Sequence, residues 1–325
     1  MIQLFTISTD AKTFRQQFFF TALSLMERGS GVVMLMAAIC LYSGDVSGQA
    51  VNFDKDRAFE FLKRQVNFGP RLPDSPGMRL TRELIQKELT ANGFRVEAQN
   101  FTARSAILGR SVPGQNIIGY YPPDAPAKYA VSAHYDTRPY ADMDSDPANR
   151  TQPIPGANDG ASGTAILLEY ARLIPQKKLP YGVALLFFDL EDHGTSQTGT
   201  FCQGAHYMAR NLPDALQQLE AGINLDMIGD KDLVIVPEQF GITKAPDLTK
   251  RFWDHATPRA PTVFQRTRSI QVYDDHVPFL QRDIPYINII DMQYPFWHTM
   301  GDTVDKCSPQ SLETVGVIVL DFISN

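Results

Sequence analysis

Apolar residues along this chain fall into short runs that alternate with stretches of helical spacing. Ala58, Phe59, Phe61, Leu62 and Val66 recur at the helical period, and Asp54 stands where it can cap the helix they predict. Ser75 to Ala91 predicts a second helix, closed by Asn92-Gly93. The apolar runs Ile117–Tyr121, Tyr129–Ala133, Val183–Phe188, Gly222–Leu225, Leu233–Val236 and Tyr286–Ile290 predict strands. Further helices are expected over Ser162–Ile174 and Gly204–Asn211, around Leu248–His255, and from Ser308 onward. Strands alternating with helices of this length predict an α/β fold, a three-layer sandwich in which helices flank a central, mostly parallel mixed β-sheet.

Polar residues are placed to match that architecture. His134 and Asp136 follow one apolar run, Glu191 and Asp192 another, and Asp226 a third. Open α/β sheets build their sites just beyond such strand ends. Two further groups stand out: Asp159 in Gly-Ala-Asn-Asp-Gly-Ala-Ser-Gly, and His298 in Phe-Trp-His-Thr-Met. Taken singly, each has a plain structural explanation. Asp159 would cap the helix that begins near Ser162, the Glu191-Asp192 pair would be a solvated turn, and His298 a packed neutral imidazole. Taken together, an Asp, an Asp/Glu and a His supply the three protein ligands of a catalytic zinc site, which leaves a fourth position open.

A chain of 325 residues is long enough for one large α/β domain or two small ones. The residues of interest run from Asp159 to His298 with no linker or internal repeat between them, which favours a single catalytic domain over residues 49–325. Residues 1–48 read as a leader. Val32 to Tyr42 is an apolar run of signal-peptide length, too short for a membrane span of ~20 residues. Val46-Ser47-Gly48 then supplies small residues for cleavage before Gln49, and Met26 is an alternative start. Ile39 before Cys40 does not suit lipid attachment. The expected location is therefore the periplasm or the medium, with no stable membrane association after cleavage.

The net charge of −6 argues against nucleic acid as a partner. Residues 1–48 hold three basic and three acidic residues, so cleavage leaves that balance unchanged. Beyond the leader, Cys202 and Cys307 belong to no close-spaced metal motif. In an oxidising compartment they either bridge two loops or stand as separate buried thiols.

The segments His134-Tyr135-Asp136, Asn158 to Gly163, Glu191-Asp192, Leu225-Asp226-Met227-Ile228-Gly229 and Trp297-His298-Thr299 resemble the metal motifs of the zinc aminopeptidase superfamily. Within it, Asp274-Asp275-His276-Val277-Pro278-Phe279-Leu280 and Trp297 to Met300 resemble the glutaminyl-peptide cyclotransferases. The resemblance runs from about Phe53 to the C-terminus. It implies one zinc held by Asp159, Asp192 and His298, which polarises the γ-carbonyl of an N-terminal glutamine. It also implies that Glu191 shuttles a proton from the attacking α-amine to the departing nitrogen, helped by Asp226 and Asp274. Pyroglutamate and ammonia would be the products, and peptides or proteins with N-terminal Gln the partners of a monomeric enzyme. Trp297 would wall the glutamine pocket, with Tyr294 and Phe296 as neighbours, and His276 would hydrogen-bond around the site rather than bind metal. His206 and His255 would be structural.

Two departures qualify the match. Asp192 stands where many relatives have Glu, and the chain between Asp192 and the helix after Gly204 is short, as in the bacterial branch. The rival reading is a two-zinc aminopeptidase, with His134, Asp159, Asp192, Asp226 and His298 as ligands and Glu191 activating water. Every one of those residues is present. A non-catalytic binding or dimerisation domain on the same scaffold is a third reading, against which the intact Glu191 and ligand set argue.

Overall fold

Why these segments fold as they do is clearest at the helix starts. In the computed structural model, which describes residues 52–195 and 197–325, Asp54 accepts hydrogen bonds from the backbone N–H groups of Asp56 and Arg57 and opens helix α1, Lys55–Asn67. Ser75 likewise accepts from Met78 ahead of α2, Pro76–Ala91, whose first residue is a proline that has no N–H to lose. The leader, the cleavage site before Gln49 and the Met26 start lie outside the described residues.

Six strands form one sheet: β1 Arg95–Ser105, β2 Arg110–Tyr121, β3 Ala127–His134, β4 Gly182–Phe188, β5 Ala221–Asp226 and β6 Tyr286–Ile290. Their spatial order is β1-β2-β4-β3-β5-β6. The β1–β2 and β2–β4 pairings are antiparallel, and the β4–β3, β3–β5 and β5–β6 pairings are parallel. Every residue of β4, β5 and β6 is buried, as continuous apolar runs in parallel strands require. The remaining helices are α3 Ala161–Lys177, α4 Gln203–Arg210, α5 Gln239–Lys244, α6 Pro246–Ala256, the single turn α7 Val277–Leu280, and α8 Pro309–Phe322. They flank the sheet in two groups. One comprises α1, α2, α3 and α8; the other comprises α4 to α7, with α8 also touching α6.

The pattern of apolar runs missed β1, whose sequence Arg-Val-Glu-Ala-Gln-Asn-Phe-Thr-Ala-Arg-Ser is largely polar and whose side chains are mostly exposed or half-buried. It is an edge strand, held by its register with β2 rather than by burial. The expected strand at Leu233–Val236 does not form. Leu233, Ile235 and Val236 are buried, but the run meets Phe264 through one isolated bridge, and Pro237 after it removes a donor a longer ladder would need. Cys202 and Cys307 are both buried free thiols, so the bridge weighed from sequence is not made. The Cys202 thiol donates to Glu191, and the backbone of Cys307 pairs with that of Asp230 in an isolated antiparallel bridge.

The topology places the chemistry. Strands β4, β3 and β5 are neighbours and run the same way, so their C-terminal ends lie side by side. His134 and Asp226 are the last residues of β3 and β5, and β4 leads into the Glu191-Asp192 turn.

Candidate metal centre and active site

Asp159, Asp192 and His298 each offer a ligand atom, and these atoms lie within 4.8 Å of one another. His298 Nε2 is 2.9 Å from Asp192 Oδ1 and 3.7 Å from Asp159 Oδ2. All three side chains are buried, yet Asp159 Oδ2 and Asp192 Oδ2 have no hydrogen-bond partner. Two bare carboxylate oxygens beside one imidazole, away from water, are costly unless a cation sits among them. The residues therefore fit a metal ion. Burial and the neighbouring Asp192 carboxylate push the Asp159 pKa up to about 7, while His298 and Arg138 hold Asp192 below the usual carboxylate range against the effect of burial.

The loops carrying these ligands are pinned by further buried charges, of which only Asp136 stands out in the sequence. Asp302 is a fully buried carboxylate that accepts from the backbone N–H groups of Asn158 and Asp159 at 2.8 and 3.2 Å and from the Tyr294 hydroxyl at 2.7 Å. Arg71, also fully buried, donates to the carbonyls of Tyr135, Pro155 and Gly156. On the other side, Asp136 accepts from the N–H groups of Glu191 and Asp192, and Arg138 donates to the carbonyls of Asp192 and Gly194, each at 2.8 Å. Arg138 also holds Asp142, whose Oδ1 lies 3.6 Å from His298 Nδ1. Gly160 is required by space: a Cβ there would stand 2.5 Å from the His134 ring. Replacing Asp302 by Ala is expected to cost roughly 3 kcal/mol or more, since three buried donors lose their acceptor. It should also weaken zinc retention. Thermal unfolding and zinc analysis check both, and a wild-type melting temperature would contradict the assignment.

Glu191 lies beside the ligands. It shares one cluster with His134 and Asp192 and another with Cys202 and Asp274, ligand atoms within 4.8 Å in each. Burial, with the charges of Asp192 and Asp274 added, raises its pKa well above the ordinary glutamate value. Asp274 accepts on Oδ2 from the amides of Asn224 and Asn288, at 3.2 and 2.6 Å, and on Oδ1 from the Asp275 N–H. Asn224 and Asn288 are register partners on β5 and β6. Asp226 is bonded to His134 rather than to Glu191: His134 Nε2 lies 3.2 Å from Asp226 Oδ1 and 3.1 Å from Asp159 Oδ1. Burial opposes charge on His134, but Asp136, Asp159 and Asp226 around it raise its pKa well above the usual value.

Of the three aromatic candidates, Phe296 and Trp297 are half-buried, and the Trp297 ring stacks on His298 with centroids 3.9 Å apart. Tyr294 is buried with Met227 and Ile290 in a cluster against which Phe296 and Trp297 pack, and it gives its hydroxyl to Asp302, so it also supports the Asp159 loop. His276, expected to hydrogen-bond around the metal, is 2.8 Å from Glu238, the acidic cap of α5. His206 meets the Tyr273 hydroxyl, and His255 lies 3.5 Å from Asp321.

Residues 116–323 match the model of peptidase family M28. The chain is 26% identical over 291 residues to a glutaminyl-peptide cyclotransferase-like protein of Bos taurus, covering 78% of this chain and 71% of that protein. Among solved structures, the glutaminyl cyclase of Bacteroides thetaiotaomicron bound to N-acetylhistamine superposes with a TM-score of 0.79 at 35% identity, covering 85% of this chain and 99% of that one. A leucine aminopeptidase precursor from the same organism superposes with a TM-score of 0.78 at 36% identity, with the same coverage.

Proposed function

The chain belongs to peptidase family M28, and from that membership and the geometry of its site we propose that it is an exported glutaminyl-peptide cyclotransferase with one zinc, held by Asp159, Asp192 and His298. Its substrates are peptides or proteins with an N-terminal glutamine, and its products are the pyroglutamyl chain and ammonia. A zinc bound there would supply Lewis acidity to the γ-carbonyl of the glutamine. Glu191, buried and with its pKa raised, is suited both to take a proton from the attacking α-amine and to give one to the departing amide nitrogen. Asp274, fixed by three donors, orients groups next to Glu191. Because the amine and the carbonyl belong to one residue, holding them in line supplies much of the rate advantage.

The observation that carries the one-zinc reading is the distribution of unpaired oxygens. Among the described residues, the buried oxygens of the five-residue set left without a partner are Asp159 Oδ2 and Asp192 Oδ2, both grouped with His298, and none of them belongs to Asp226, the carboxylate that only a second ion would need. The complete five-residue ligand set and the likeness to a leucine aminopeptidase precursor favour the second reading, a two-zinc aminopeptidase.

Trp297→Ala should raise KM roughly tenfold and leave the melting temperature near wild type, since the ring is half-buried and packs on His298. A fall in kcat alone would contradict a pocket role. Exported protein should begin at Gln49 by intact mass, and that terminus should itself lose one ammonia. Retention of Met1 or Met26 would contradict it. No helix among the described residues is long and apolar enough to cross a membrane.

A further inference from the structure

Cys202 belongs to none of the roles above, yet it touches Glu191 twice. Its backbone N–H donates to the Glu191 carbonyl at 2.9 Å, and its thiol donates to Glu191 Oε1 at 3.4 Å. The sulfur and the Glu191 and Asp274 carboxylates lie within 4.8 Å of one another. The next residue, Gln203, donates to the Leu190 carbonyl at 3.1 Å, so the start of α4 is tied to the Glu191 turn by two consecutive backbone bonds. Leu190 and Cys202 both sit at φ +59°, in the left-handed region that disfavours every side chain and suits glycine. The backbone at position 202 would suit glycine, so the cysteine side chain is held there against a backbone preference.

We propose that Cys202 is a positioning residue for the reaction: its S–H, donated to Glu191 near the Asp274 carboxylate, fixes the Glu191 carboxylate in the orientation from which it carries the proton. The inference rests on the reading of Glu191 as proton carrier. A cysteine that merely filled space would behave as a small apolar residue. The two roles give opposite orders among three variants. Serine keeps a donor of similar size, alanine removes it, and glycine removes it while relieving the left-handed backbone.

The test is steady-state cyclisation of a Gln-peptide by the zinc-loaded enzyme, read as ammonia release, with zinc content and melting temperature measured on each variant. Cys202→Ala should lower kcat about 5- to 10-fold, the worth of one hydrogen bond, with KM within about twofold and zinc unchanged. Cys202→Gly should lower kcat similarly while keeping or raising the melting temperature, which separates the lost donor from any folding defect. Cys202→Ser should restore kcat to within about twofold of wild type. Adding Cys202→Ala to Glu191→Gln should cost nothing further. Wild-type kcat in the Ala or Gly variant, or a Ser variant slower than Ala, would overturn this inference alone. Absence of ammonia from the wild-type enzyme would overturn the reading of Glu191 and this inference with it.

Discussion

Glu191→Gln is expected to lower kcat for Gln-peptide cyclisation by roughly 10²-fold or more while leaving zinc content unchanged. The substitution keeps size and shape and removes only the proton acceptor. Glu191 lies outside the Asp159, Asp192 and His298 set, and its backbone, not its carboxylate, is held by Asp136. A glutamine also relieves the crowding of carboxylates that raises the Glu191 pKa, so the variant should be at least as stable as wild type at neutral pH. A hundredfold loss corresponds to about 2.7 kcal/mol of barrier. Loss of zinc together with activity would move Glu191 from proton carrier to ligand, and an unchanged kcat would remove it from the reaction.

His298→Ala is expected to abolish both activity and metal binding. His298 Nε2 is the only nitrogen among the three proposed ligands, and without it two bare carboxylates face each other. Turnover should fall at least ~10³-fold, and zinc should be absent after dialysis without any chelator. The apo variant should also be less stable, because the buried Asp192 loses the partner that holds it ionised. Zinc analysis by mass spectrometry decides the matter. A variant that kept a full equivalent of zinc would contradict the ligand assignment.

How far these features could be read in the sequence follows from what each depends on. The helices α1, α2 and α8 were legible because their starts are local: Asp54, Ser75 and Ser308 cap by reaching N–H groups two or three residues away. Strands β3 to β6 were legible because burial on both faces forces continuous apolar runs. Strand β1 was not, because an edge strand takes its stability from pairing with β2, a partner no local pattern announces. At the site, the resemblance of short motifs identified Asp159, Glu191, Asp192, Asp274 and His298, and the fold brings their side chains together. Asp302, Arg71 and Arg138 were invisible for a different reason. The hydrogen bonds by which they pin the ligand loops reach over 54 to 144 residues of chain, and nothing near them in sequence distinguishes them from surface charges. Tyr294 was legible as a neighbour of Phe296 and Trp297, which pack against its cluster, but its hydroxyl bond to Asp302 was not.

The central claim is that one zinc serves cyclisation rather than two serving hydrolysis. It is tested most directly by giving one purified preparation of known zinc content a Gln-peptide and, side by side, peptides with amino-terminal leucine or lysine. Ammonia from the Gln-peptide, with one zinc per chain and no free leucine or lysine, is the predicted result. Two zinc ions per chain, release of the amino-terminal residue and no ammonia would contradict it.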